Sequence, residues 1–213
     1  MKPTIAIFIH DPQCETSCAL GMIQGFVSEF NVRTFGLDEL NLTFLRQHDV
    51  VAFPGGMGDS DDFDAIFTLD QIAAVQVYVA EGGKYFGICM GAYWAGPNYF
   101  DLVDGLEVEQ YIFQPDTDIK TDGPTIADVT FFGYKEEVMY FYDGCAILGK
   151  DMDVVATYSN GNAMAAIQDN VGMFGCHPEA LEWWYEEGGM GADWYTPAHA
   201  RIMRDFVHKL LDK

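Results

Sequence analysis

Apolar residues along this chain come in short runs that alternate with longer helical patterns. Thr4-Ile-Ala-Ile-Phe-Ile9 reads as a buried first strand, and a helical pattern follows from about Glu15 to Phe30. Val32–Phe35 and Asp49-Val-Val-Ala-Phe53 are the next two strands, the latter ending at Pro54-Gly-Gly56. Over Leu69–Glu81 the residues Ile72, Val75 and Val79 share one helical face, and Gly82-Gly83 stops the helix. Lys84–Ile88 is a fourth strand, with a helix expected after Cys89. Strands alternating with helices imply right-handed βαβ units and a parallel sheet.

From Leu106 to Leu148 the pattern changes. Short alternating stretches at Glu107–Phe113, Ala127–Phe132 and Val138–Tyr142 are separated by Pro, Gly and Asp turns. They predict antiparallel hairpins inserted at or beside the main sheet over about residues 105–150. Asp153–Tyr158, Ala163–Gln168 and Val171–Cys176 resemble a closing meander, with Asn160-Gly161 and Asp169-Asn170 as its turns. A last helix begins at Thr196-Pro197 and runs to the end, with Lys209 and Lys213 near its C-terminus. With 213 residues, 49% of them hydrophobic, the chain fits one α/β domain spanning 1–213.

Charge narrows the partners. Thirty-three acids against eleven bases leave a net charge of −22, which repels phosphate backbones and anionic membranes. Nucleic acid and membrane are therefore excluded as expected partners. A basic protein partner fits the sign, and so does a solvated surface suited to solubility or high salt. Five cysteines without a Cys-x-x-Cys pair suggest neither zinc nor a redox motif, and Cys14 and Cys18 read as small buried residues. No apolar run has membrane-spanning length, and the first strand lacks a signal-peptide cleavage site. A reducing cytoplasm is the expected location.

The chemistry concentrates at Lys84-Tyr-Phe-Gly-Ile-Cys89-Met-Gly-Ala-Tyr-Trp94. A strand running into Gly-x-Cys-x-Gly and then a helix is the layout of a nucleophile elbow, with Gly87 and Gly91 flanking the thiol. That motif alone is weak. It gains weight from Gly-Cys-His177-Pro-Glu179, which supplies a base and a carboxylate after another apolar strand. Glu179 lies two residues from His177, so in extended backbone both side chains point the same way. The carboxylate can then fix the imidazole tautomer and stabilise the imidazolium. Gly56 and Met90 offer backbone N–H groups for an oxyanion, with Gly55 beside them.

Together Pro54-Gly-Gly, Gly87-Ile-Cys-Met-Gly91 and His177-Pro-Glu179 resemble the class I glutamine amidotransferase-like superfamily. Within it the chain is similar to the N-terminal domain of eukaryotic-type biotin–protein ligases, through Gly-Ile-Cys-Met-Gly-Ala-Tyr93, Tyr142-Asp-Gly144 and Gly175-Cys-His-Pro-Glu. The resemblance implies a flavodoxin-like, mostly parallel sheet flanked by helices. It also implies a Cys89–His177–Glu179 triad, oxyanion donors at Gly56 and Met90, and substrate contacts at Gly55 and Tyr93. An amide substrate, glutamine among the candidates, would be hydrolysed with no cofactor and no metal, and a partner synthase would take up any ammonia.

Two departures stand out. The position four residues after the thiol, a substrate-binding glutamine in glutaminases of this superfamily, is Tyr93 here. The Gly-Arg-Gly-Arg type loop of a biotin ligase is absent from the sequence, so ligation is not implied. Two other readings remain open: a binding module that has lost catalysis, and a peptidase- or deglycase-like hydrolase.

Other candidates are blander. Asp59, Asp61, Asp62 and Asp64 lack the glycine and glutamate of an EF-hand and read as a solvated loop near the pocket mouth. Trp183 and Trp184 cannot both face inward on one helix, and packing against the hairpins is expected for one of them. His10 reads as the polar end of a strand and Cys176 as an inert buried thiol.

Overall fold

The computed structural model describes residues 2–131 and 136–213. Phe132, the last residue of one predicted strand, lies outside the described residues. Strands β1 (Thr4–Phe8), β2 (Asn31–Phe35), β3 (Val50–Phe53) and β4 (Lys84–Ile88) alternate with helices α1 (Thr16–Phe26), α2 (Leu42–Leu45), α3 (Phe63–Ile66) and α4 (Leu69–Ala80). After β4 comes the one-turn helix α5 (Met90–Trp94). Then follow β5 (Leu106–Gln110), β6 (Thr125–Phe131), β7 (Glu136–Phe141), β8 (Cys145–Gly149), β9 (Asp153–Tyr158), β10 (Ala163–Gln168) and β11 (Val171–Phe174). Helices α6 (Glu182–Glu187) and α7 (Ala198–Leu211) close the chain.

All eleven strands among the described residues belong to one sheet, ordered β2-β1-β3-β4-β11-β10-β9-β6-β7, with β8 on β10 and β5 on β8. The core half, β2 through β11, is parallel, and the remainder is antiparallel. The result is an α/β fold of the flavodoxin-like kind, with the inserted hairpins extending the sheet. Hairpin β6–β7 and the meander β9–β10–β11 are the antiparallel pieces that the alternation predicted. Strand β8 was not singled out by pattern, and its partner β5 lies 35 or more residues earlier.

Period-2 alternation sorts β1 between two cores. Ile5 and Ile7 pack with Met22 and Phe26 of α1 and with Phe206 and Leu210 of α7. Ala6 and Phe8 face the other way, onto an aromatic cluster of Phe53, Phe63, Phe67, Trp94 and Phe100. Helix α7 buries Ile202, Met203, Phe206, Val207 and Leu210, the i, i+3, i+4 spacing of one helical stripe. It starts at Ala198, after Pro197, and the Thr196 hydroxyl accepts from the Ala198 N–H at 3.2 Å. Helix α4 begins in a capping box between Thr68 and Gln71.

The register of three parallel neighbours fixes the functional end of the sheet. Phe53 of β3 pairs with Gly87 of β4, and Phe174 of β11 pairs with Ile88. The residues that follow each strand (Pro54-Gly-Gly56, Cys89 and Gly175-Cys-His177) therefore leave the sheet at one edge. Such C-terminal strand ends are where open α/β sheets hold ligands.

Among the described residues no single helix is long and apolar enough to cross a membrane. The five cysteines are all free and buried.

Candidate active site

Cys89 sits at the tip of β4 with φ 48° and ψ −103°. A non-glycine residue there carries strain of about 1–3 kcal/mol, which the surroundings must hold in place. They do so by close approach. A Cβ on Gly91 would overlap the Phe53 carbonyl, and one on Gly87 would overlap the Gly91 carbonyl, so α5 can sit directly on the strand ends only without those side chains. The Cys89 N–H donates to the Phe174 carbonyl at 2.8 Å, tying the turn to β11. Its thiol points toward the Tyr142 carbonyl at 3.6 Å.

His177 and Glu179 follow β11. The backbone N–H of His177 donates to the Tyr140 carbonyl at 2.9 Å, which docks this segment on β7. Nδ1 of His177 and Oε1 of Glu179 are 2.8 Å apart, and both side chains are buried. Burial opposes the imidazolium, yet the Glu179 carboxylate, together with the charge and hydrogen bond of the Cys89 sulfur, outweighs it. The His177 pKa is consequently held well above its ordinary value. With Nδ1 taken up by Glu179, Nε2 is the ring nitrogen left to meet the Cys89 sulfur. A Cβ on Gly55 would press on both the His177 ring and Cys89 Cβ, so the imidazole and the thiol flank one point in space.

The two backbone amides lie at the same edge. Gly56 is three residues past the end of β3, where a Cβ would overlap the Pro12 and Gln13 carbonyls. Met90 is the first residue of α5, whose opening N–H groups have no partner within the helix. Among the described residues neither the Gly56 nor the Met90 N–H donates to a protein acceptor. Tyr93 also borders the site, and its hydroxyl donates to the Asp143 carbonyl at 3.0 Å. Burial, with charge from Cys145 and Cys89, pushes its phenol up.

Cys89, Met90 and Tyr93 open onto a cleft of about 620 Å³. Asp59, Asp61, Glu109, Asp122 and Asp143 line it, with no lysine, arginine or histidine among the described residues of its walls. The aspartate loop after β3 thus stands at the cleft, near the pocket mouth as expected. Asp143 has φ 42° and accepts both Gln110 Nε2 hydrogen bonds, at 2.8 and 2.9 Å. Burial, with the nearby Asp122, raises its carboxyl pKa.

Sequence spacing did not point to Cys18. Its Sγ lies within 4.8 Å of ligand atoms of both His177 and Glu179. These three could offer S, N and O donors to a metal, but His177 and Glu179 already bond each other. Burial, with the Glu179 charge, also pushes the Cys18 thiol well up, which favours the neutral form. Cys18 and Glu15 approach the site only through the packing of α1, for which no local signal exists. Cys176 is buried against the Tyr158 hydroxyl, its thiol pushed up by burial. The His10 ring stacks on Phe8, and its backbone bridges Cys14.

Comparisons with known proteins agree with this architecture. Residues 21–109 match a family model described as biotin-protein ligase, N terminal. No curated protein matches the chain in sequence. Among solved structures, a glutamine amidotransferase from Thermotoga maritima superposes with a TM-score of 0.67 at 10% identity, covering 100% of both chains. PurLQS from the same organism gives 0.62 at 18% identity, covering 99% of this chain and 100% of that one. A glutamine amidotransferase from Methylobacillus flagellatus gives 0.56 at 18% identity, covering 88% of this chain and 74% of that one. The chain has a glutamine amidotransferase-like fold with a link to the biotin–protein ligase N-terminal domain.

Proposed function

We propose, with the glutamine amidotransferase-like fold as premise, that residues 1–213 act as one cysteine-dependent amide hydrolase or amidotransferase-like domain. Cys89 is its nucleophile, His177 its base and acid, and Glu179 the group that orients the imidazole. The observation that carries this reading is the buried 2.8 Å His177–Glu179 contact beside a strained thiol turn. In this mechanism the thiolate attacks an amide carbonyl, and the oxyanion takes the N–H groups of Gly56 and Met90. His177 protonates the leaving nitrogen, and water then releases the acyl group from sulfur. The five free, buried cysteines suit a reducing compartment such as the cytoplasm.

The carboxylates that line the cleft disfavour an anionic acyl group. Glutamine is a zwitterion whose α-ammonium suits this lining but whose α-carboxylate has no basic side chain among the described lining residues. With Tyr93 in the place of a substrate-binding glutamine, it makes a poorer match than an amide without a carboxylate. This favours the hydrolase branch of the reading over a glutaminase that feeds a partner synthase. The same two features are what a binding module without catalysis would show. The deciding experiment measures amine or ammonia release from glutamine and from a panel of neutral and cationic amides. The expected outcome is turnover of at least one amide that drops by about 10³-fold or more in Cys89→Ala. Absence of turnover across the panel, with no labelling of Cys89 by a chloroketone glutamine analogue, would leave the binding module as the function.

A further inference from the structure

His177 opens onto a different cleft from Cys89. This second cleft, of about 390 Å³, is walled by Tyr140, Tyr142, Trp183 and Trp184 beside His177, with Glu15 and Glu187 among its lining. The two clefts share Gly56, Met57 and Tyr142. The clefts therefore meet at Gly56, and a molecule lying across it would reach from one into the other. One buried polar atom of a residue lining the second cleft, Trp184 Nε1, has no partner among the described residues. Trp184 is only 7% exposed. Unpaired buried polar groups are rare, and a ligand that supplies the missing partners is one of the few ways to satisfy them.

Resting on the assignment of Cys89 as nucleophile and His177 as acid, we infer that the aromatic cleft is a leaving-group subsite and that the substrate is an N-substituted amide. The amine half of that amide carries an aromatic or alkyl body. Ammonia, the leaving group of a primary amide, is a single heavy atom and needs no such cleft. A substituted amine places its nitrogen at His177 and its body against the tyrosines and tryptophans. The Cys89 thiol gives its proton to His177 as the sulfur–carbon bond forms; the oxyanion then collapses, the carbon–nitrogen bond breaks, and His177 gives that proton to the departing nitrogen. The free amine becomes an ammonium ion with the proton that the carboxylic acid product releases to solvent. That cation meets aromatic faces and the carboxylates of Glu15 and Glu187, a recognised setting for ammonium groups. A water molecule adds to the thioester carbon, the carbon–sulfur bond breaks, and its proton returns to the Cys89–His177 pair as the carboxylic acid leaves.

The test uses phenethylamine, cationic at neutral pH, and phenylacetate as its anionic counterpart. The Cys89→Ala protein should bind phenethylammonium about tenfold or more tighter than phenylacetate by calorimetry. Adding Trp183→Ala or Glu187→Gln, both on exposed residues of α6, should weaken that binding by about threefold or more. The wild-type chain should cleave an N-phenethyl amide with kcat/KM about tenfold or more above the primary amide of the same acyl group. Equal cleavage of the two amides, with no preference for the cationic probe, would overturn the subsite and leave the role of Cys89 standing. Binding of phenethylammonium without cleavage of either amide would overturn the leaving-group assignment together with the role of Cys89.

Discussion

Glu179 decides the charge of His177. Burial alone would favour the neutral ring, and the carboxylate, together with the Cys89 sulfur, reverses that preference. In Glu179→Gln the imidazole titration, followed by NMR, should fall by about one pH unit or more, because burial then acts without its counterweight. The sign for stability follows. A histidine whose folded pKa is raised adds stability that is whole below its unfolded value of about 6.5 and is lost as pH rises through the folded value. Glu179→Gln should therefore lose stability below about pH 6.5 and show less alkaline-side decline in thermal melts. Amide turnover should drop about 10³-fold in the same variant. The His177–Glu179 partnership was legible from a two-residue spacing in an extended segment. Cys18 and Glu15 were not, since only the docking of α1 brings them near.

At the scale of elements, the site depends on α5 lying against the ends of β3 and β4. Gly91→Ala would put a methyl group into the Phe53 carbonyl, and the helix could accept it only by lifting from the sheet. The expected cost is about 2–3 kcal/mol, a drop in Tm of about 5–10 °C, with Cys89 turned away from His177. Thermal unfolding and amide turnover both report on it. Long periodic elements were readable in advance: the bounds of β4, β9 and β10 fall where the apolar runs begin and end. The four-residue helices α2 and α3 span about one turn each and carry no period to read. Cys145-Ala-Ile-Leu-Gly149 is a short apolar run without alternation, so its identity as β8 emerges only from pairing with β5 and β10.

For the molecule as a whole, charge is the dominant surface property. Thirty-three carboxylates face eleven lysines and arginines, so acids outnumber the permanent cations three to one. Surface pairs such as Arg46–Glu81 and Lys209–Asp153 are largely solvated, and each contributes little. Self-repulsion among the remaining carboxylates destabilises the folded state, and salt screens it. Raising NaCl from about 20 mM to about 500 mM should increase Tm by about 3 °C or more. A flat or falling Tm would mean that repulsion is unimportant to this fold. The acidic cleft beside Cys89 follows from the same composition, although composition alone could not say that five of those carboxylates would line one cleft.

The amino-acid sequence determined the reactive groups, the glycine-flanked turn that exposes the thiol, the local His177–Glu179 spacing and the division into parallel and antiparallel halves. These are short-range properties, set by backbone periodicity and by the room around a few small residues. Tertiary structure alone decided that β11 lies beside β4 in the register that brings His177 to Cys89. It alone also placed Trp183 and Trp184 of α6 with Tyr140 and Tyr142 around a second cleft. Strand order and helix docking are chosen by burial summed over the whole core, and no local stretch of the chain carries that sum.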